Sequence, residues 1–290
     1  MAYLIYADFK KSIQLANLAQ VIGSDATIIN SWMLAAQEKV TSYLTQKYQT
    51  ELEFTDTRVW GASLSYQAAD RVYLDAPDYD ANTAYTPGQY VVNTNNFYRC
   101  LAGTTGVFSP ANWQLVGPRY ALYYVAYPQP RFNIGAAYNK GDRVYYQGKV
   151  YTALQASAVY SDSYLLQVGK LQNIPPVNSF PGAPGYNQWD GGEPYAVPAG
   201  TLITDTAFWT PGDNRSQQML QIMADLVLFY AHQRISPMSI PELRKENYRE
   251  AINWLIDAGE GNITPNLPLR QPFAGNKIRY GGSVRSQYNY

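Results

Sequence analysis

The chain has 290 residues, 46% of them apolar, enough for one large or two modest hydrophobic cores. Its 22 basic and 22 acidic residues cancel, so no global field draws it to nucleic acid or an anionic membrane; one Cys and one His exclude an internal disulfide and a Cys/His metal cluster. Charged residues are only 15%, against roughly 25% in ordinary soluble chains, whereas Tyr alone numbers 27, a balance that suits half-wet contact surfaces.

No apolar run approaches the roughly 18 residues of a membrane span, and Met1 to Asp8 lacks a basic stretch followed by an apolar one. The expectation is a soluble protein made in a cytoplasm with no membrane partner. In chain order the first elements are helical. Phe9, Ile13, Leu15, Leu18, Val21 and Ile22 predict one or two short helices, and Gly23-Ser24-Asp25 supplies a break and an N-cap. From Asp25 to Gln46 there is no Gly or Pro. Ile28, Ile29, Trp32, Met33, Ala36, Val40, Tyr43 and Leu44 recur there at spacings of three and four, the apolar face of one helix.

From about Thr57 the period changes. Arg71-Val72-Tyr73-Leu74, Tyr90-Val91-Val92, Phe97 to Leu101, Arg143 to Tyr146 and Val150 to Leu154 are short β-prone runs separated by Gly, Asn and Pro, and they read as hairpins. Within them lies a repeat. Tyr85-x-x-Gly88-x-x-Val91, followed by Tyr98-x-x-Leu101, matches Tyr138-x-x-Gly141-x-x-Val144, followed by Tyr151-x-x-Leu154, at a constant offset of 53 residues. Trp113 closes the first copy (about 82–116), and Trp209 is expected to close the second (about 135–210). Residues 169–200 carry six Pro with several Gly, too many for a helix or a central strand, and read as a long loop inside the second copy.

Helical periodicity returns at Gln217. From there to Arg234, Met219, Leu220, Ile222, Met223, Leu226, Val227, Phe229 and Tyr230 are apolar around most of the circumference, which predicts a central helix. Ser239-Ile240-Pro241-Glu242 reads as a capping box opening a last helix that ends at Gly259. The last stretch is basic, with Arg270, Lys277, Arg279 and Arg285 and no acidic residue after Glu260, and it ends in Tyr280, Tyr288 and Tyr290 among Gly and Asn. Such a segment cannot form a core alone and suits docking on a partner.

The predicted fold class is α+β. Residues 1–56 and 212–262 form a discontinuous helical domain, 57–211 an inserted β-rich domain with two module-like repeats, and 263–290 an extended docking tail.

Two resemblances add to this reading. The Tyr-x-x-Gly-x-x-Val, Tyr-x-x-Leu, Trp pattern resembles the small chitin- and cellulose-binding modules of bacterial glycoside hydrolases. That resemblance implies sugar or protein contact through Tyr85, Tyr98, Trp113, Tyr138, Tyr145, Tyr146, Tyr151 and Trp209. In units so small the same aromatics are also needed simply to make a core. The helical ends, with Tyr43-Leu44-Thr45-Gln46-Lys47-Tyr48, Ala224-Asp225-Leu226-Val227-Leu228-Phe229-Tyr230 and the run Glu242 to Leu255 before Gly259-Glu260-Gly261, resemble the head-to-tail adaptor proteins of tailed bacteriophages. Members of that family usually have a short connection where this chain has its β insertion. The resemblance implies a virion neck protein: a homo-oligomeric ring, commonly of about twelve copies, docked on the portal protein, contacting downstream tail or neck proteins, with DNA passing through the centre. The tail residues Arg270, Lys277, Arg279, Tyr280, Arg285, Tyr288 and Tyr290 are then the expected portal contacts.

Catalysis has few candidates. His232 lies near the end of an apolar helix, where an imidazole caps carbonyls, and Cys100 sits in a β-prone run as a small buried residue. Asp78-Tyr79-Asp80-Ala81-Asn82 opens like a calcium loop, but Thr83 stands where the turn needs Gly, and Gln89 where it needs a bidentate Glu. The expectation is a structural protein without cofactor, metal or chemical step. The competing reading is a carbohydrate-binding protein that uses the aromatic repeats.

Overall fold

The computed structural model describes residues 2–22, 26–157, 180–182, 188–235 and 239–270. A 3-10 turn (Tyr6–Lys11) leads into α1 (Leu15–Ile22), α2 (Ala26–Leu44) and the single turn α3 (Thr50–Glu53); α4 (Gln217–Ile235) and α5 (Glu242–Glu260) stand at the other end of the chain. In α2 the side chains of Ile29, Met33, Ala36, Val40 and Leu44 are buried, as the three-and-four spacing requires. The central helix is α4. It buries Met219, Leu220, Ile222, Met223, Leu226 and Val227 because α2 and α5 both pack on it. One core cluster therefore joins Tyr3, Leu4 and Phe9 to the inner faces of α2, α4 and α5, and the two chain ends form a single helical frame.

Two helix ends differ from the sequence reading. Ser239 does not cap α5: Pro241 is its N-cap, with no side-chain bond, because the fixed φ of Pro already sets the entry into the first turn. The helix also runs past Gly259 to Glu260 and closes on Gly261 in the left-handed conformation (φ 91°). Gly259 serves a different purpose. A Cβ there would lie 2.8 Å from the Tyr43 carbonyl oxygen, so its absence lets α5 approach the end of α2.

The chain between the helices carries ten short strands among the described residues: β1 (Thr57–Val59), β2 (Arg71–Tyr73), β3 (Tyr90–Asn93), β4 (Asn96–Cys100), β5 (Trp113–Pro118), β6 (Leu122–Val125), β7 (Arg143–Tyr146), β8 (Lys149–Thr152), β9 (Glu193–Pro194) and β10 (Trp209–Pro211). They form sheets of order β1-β2-β6-β10, β3-β4-β5 and β7-β8-β9.

These are three copies of one module. Val72, Val91 and Val144 stand opposite Tyr123, Tyr98 and Tyr151 in their hairpins, and Val125, Cys100 and Ala153 stand opposite Trp209, Trp113 and Trp189. Each Trp packs nearly edge-on against the first Tyr of its copy: Tyr66 with Trp209 at 4.9 Å, Tyr85 with Trp113 at 5.3 Å, Tyr138 with Trp189 at 5.1 Å. The turn between that Tyr and its strand is built alike in all three. Asp70, Gln89 and Asp142 accept from the backbone N–H three residues earlier, and the N–H groups of Ala69, Gly88 and Gly141 donate to the carbonyls of Val125, Cys100 and Ala153.

The modules are nested. Module A comprises β2, β6 and β10; module B (β3-β4-β5) is inserted between β2 and β6, and module C (β7-β8-β9) between β6 and β10. This corrects the pairing of the second repeat with Trp209. Trp209 belongs to module A through its partner Val125, and the second repeat closes on Trp189. Of the Pro/Gly stretch 169–200, the described part supplies Trp189 and the edge strand β9, where the N–H that Pro194 lacks is not needed, and Val197, which bridges to Tyr66.

The shared turn makes a prediction with two signs. Gly88 and Gly141 have φ of 92° and 93°, and Ala69 holds the same position at φ 70°. A left-handed non-glycine residue costs about 1–2 kcal/mol, offset in part by the entropy that Gly adds to the unfolded chain. Ala69→Gly should therefore stabilise the protein by about 0.5–1 kcal/mol, and Gly88→Ala or Gly141→Ala should destabilise it by a similar amount. Urea unfolding of the three variants would show this; a common sign would contradict the equivalence of the three turns.

Candidate functional site

Frame and modules meet at a buried polar node. Arg215 lies between β10 and α4 with its side chain fully buried. All five of its N–H groups are used: Nε and Nη2 donate to Asp213, Nη1 and Nη2 to Asp8, and Nη1 also to the Tyr3 carbonyl, at 2.8–3.0 Å. Tyr3 accepts from the Ser216 N–H and donates to Glu53. On the module side, Arg71 of β2 donates to Asn214, to the Glu53 carbonyl and to Thr55, at 2.6–2.9 Å. Burial alone would lower the Arg215 pKa, but its bonds to Asp213 and Asp8 outweigh burial and raise it. Burial pushes the Asp213 pKa up, and its hydrogen bonds and charge pairing with Arg215 more than reverse this, so its folded-state value lies below the ordinary carboxylate range.

The aromatic residues singled out in the sequence fall into two groups. Tyr85 (9% exposed), Trp113 (5%), Tyr138 (9%), Tyr151 (7%) and Trp209 (2%) are core residues of their modules. They present no ring face on which a sugar could stack. Tyr98, Tyr145 and Tyr146 are half-buried. The last two line a cleft of about 730 Å³ between module C and the helical frame. Its module side includes Tyr127, Arg131, Phe132 and Phe180 together with Ala68 and Ala69 of module A, and Gln49, Glu51 and Thr55, with Leu269 and Arg270, are on the other. Burial raises the pKa of Tyr145 and Tyr146, which keeps both hydroxyls protonated at physiological pH; that of Tyr146 accepts from the Gln147 side chain at 3.2 Å.

Arg270 is already engaged. Its backbone N–H donates to the Lys47 carbonyl next to the Tyr48–Leu269 bridge, and its guanidinium reaches Glu51 at 3.2 Å. The other tail residues, Lys277, Arg279, Tyr280, Arg285, Tyr288 and Tyr290, lie outside the described residues. His232 bonds the Leu228 carbonyl through Nδ1 at 2.8 Å, one turn back in α4, and Cys100 is buried in module B. Asp78 pairs with Arg119 at 2.9 Å, and Asp80 accepts from Asn82 and Thr83, which makes the would-be calcium loop an ordinary polar turn. Among the described residues no group of three His, Cys, Asp or Glu could hold a metal ion, and no helix is long and apolar enough to cross a membrane.

No protein family, no curated protein and no solved structure matches this chain.

Sequence reasoning missed Trp189, Arg131 and Phe132, and with them module A. A signal for module A was present: Tyr66-x-x-Ala69-Asp70-Arg71-Val72-Tyr73 shares Tyr, Asp, Arg, Val and Tyr with Tyr138-x-x-Gly141-Asp142-Arg143-Val144-Tyr145, but without the Gly.

Two measurements test the node. Arg215→Met removes the fully buried cation and leaves Asp8 and Asp213, both partly open to water, without their partner; it should cost about 1.5–3 kcal/mol in urea unfolding, more than loss of an exposed pair at about 0–1 kcal/mol. Asp213 has a depressed folded-state pKa, so its contribution is complete above the unfolded value of about 3.9 and is lost as pH falls through the folded value. Stability should therefore fall as pH drops below about 5, and less steeply in Asp213→Asn; an equal slope would contradict the role of Asp213.

Proposed function

We propose that this protein is a head-to-tail adaptor of a tailed-bacteriophage virion: a ring subunit that docks on the portal, joins capsid to tail and lets DNA pass through its centre. The observation that carries the reading is the discontinuous helical frame, in which α2 packs against α4 and α5 across the β-rich region. Its elements hold the adaptor-like sequences in the expected order, with the modules carried between them. The work is assembly and sealing, with no chemical step and no cofactor, in the neck of the particle. Equal numbers of acidic and basic residues suit a conduit, because a chain dense in Lys and Arg would hold the passing polyanion through its phosphates. The modules offer contact surfaces to tail or neck proteins. The sugar-binding reading is the weaker one, since Trp113 and Trp209 are enclosed in module cores.

The purified chain, mixed with its cognate portal assembly, should form a closed multi-copy ring on the portal in electron micrographs. A chain that stays monomeric and ignores the portal contradicts the reading. Deleting residues after Gly275 should weaken attachment to the portal while the helical signal in circular dichroism is kept; undiminished attachment would show that the tail is dispensable.

A further inference from the structure

Modules A and B pack face to face. Trp60 and Leu74 of the first sheet meet Tyr90, Val92 and Phe97 of the second, with Trp60 at 5.1 Å from Tyr90 and 6.3 Å from Phe97. Trp60 is 4% exposed there and Leu74 not at all. The register common to the modules puts Phe132 and Tyr146 of module C in these same two positions. Trp60 and Phe132 each donate a backbone N–H to the carbonyl of the equivalent strand residue, Tyr73 and Tyr145. Among the described residues no other module packs on this face of module C, and Phe132 meets only rings of its own module, Tyr138 at 5.7 Å and Trp189 at 5.6 Å. Phe132 and Tyr146 are half-buried and border the 730 Å³ cleft. Phe180 lies 5.8 and 6.0 Å from their rings but is itself 43% exposed, so it fills the space only in part.

Charge is the second, independent observation. Arg131 occupies the register position held by Val59 in module A and Asp78 in module B, each bridged in parallel to the following strand. Asp78 is neutralised by Arg119. Arg131 is exposed, lies 5.5 Å from the Tyr127 ring centre, and donates only a long bond of 3.3 Å to Gln49. Among the described residues no carboxylate pairs with it; Glu51, the acid lining the same cleft, is held by Arg270. A cleft of this volume with aromatic walls and few polar groups is of ligand-binding size.

We infer that the cleft between module C and the helical frame is a docking site for an extended segment of a partner protein that carries an aromatic side chain beside a carboxylate. The aromatic group would take the place that Tyr90 and Phe97 of module B take on module A, and the carboxylate would pair with Arg131. The site does not depend on the adaptor reading, since a chain that never enters a ring would bind the same segment.

The test is a titration of the full-length chain into a fluorescein-labelled peptide, Gly-Ser-Asp-Phe-Gly-Ser, followed by anisotropy. Saturable binding is expected. It should weaken at least about tenfold when the peptide carries Lys for Asp or Ala for Phe, and equally with the Arg131→Glu or Tyr146→Ala protein. Because Arg131 is at the surface, an unchanged melting temperature separates loss of the site from loss of the fold. The Lys peptide should regain affinity on the Arg131→Glu protein, which a merely structural Arg131 would not produce. Absence of saturable binding, or binding indifferent to Arg131→Glu, overturns the inference. Displacement of the peptide by chitin oligomers would assign the cleft to saccharides and overturn it as well.

Discussion

The five-donor arrangement around Arg215 is the constraint on which the architecture depends. The chain leaves the helical frame near Thr57 and returns near Pro211, so two distant points of the sequence must be held side by side. Arg215 does this by gripping Asp8 and the Tyr3 carbonyl from the N-terminal segment and Asp213 from the returning strand. Arg71 repeats the device from the module side, with Asn214 and the segment around Glu53. Burying this much charge stabilises little by itself, but a partly satisfied node would cost several kcal/mol, so it specifies one geometry of attachment.

Nesting follows from that fixed attachment. A hairpin connection can accept a whole folded unit at small entropic cost, provided the strands on either side remain paired. Module B enters between β2 and β6, yet Val72 still faces Tyr123; module C enters between β6 and β10, yet Val125 still faces Trp209. Each module is too small for an aliphatic core and uses rings instead. The core of module B is Tyr85, Val91, Cys100 and Trp113, and that of module C is Tyr138, Val144, Tyr151, Ala153 and Trp189. This accounts for much of the Tyr surplus and for the scarcity of charge, because a sheet covered on both faces by rings has few positions for ions.

The helices were legible because their periodicity is local: Ile29 to Leu44 and Met219 to Val227 need only neighbours three and four residues away to show which face is buried. The repeat of modules B and C was legible for a similar reason, since each hairpin is continuous in sequence. Module A was hidden by the nesting itself, which separates its three strands by two other modules, and by Ala69, which replaces the Gly that marks the turn elsewhere. Trp189 was hidden by composition, because the Pro and Gly around it read as loop while they serve a strand at a sheet edge. The cleft was not legible at all. Tyr145 and Tyr146 carry the right chemistry, but only the tertiary arrangement brings them to Gln49 and Glu51, and only comparison with module A shows that this is the face on which another module can pack.

In the proposed adaptor the helical frame is the assembling part and the modules are its cargo. The most direct measurement is the solution mass of a chain in which residues 57–211 are replaced by a short Gly/Ser linker, set beside that of the full chain. The shortened chain is expected to keep its helical circular dichroism and to form the same multi-copy assembly. A shortened chain that folds but remains a monomer, where the full chain forms a ring, would place assembly in the modules and contradict that expectation.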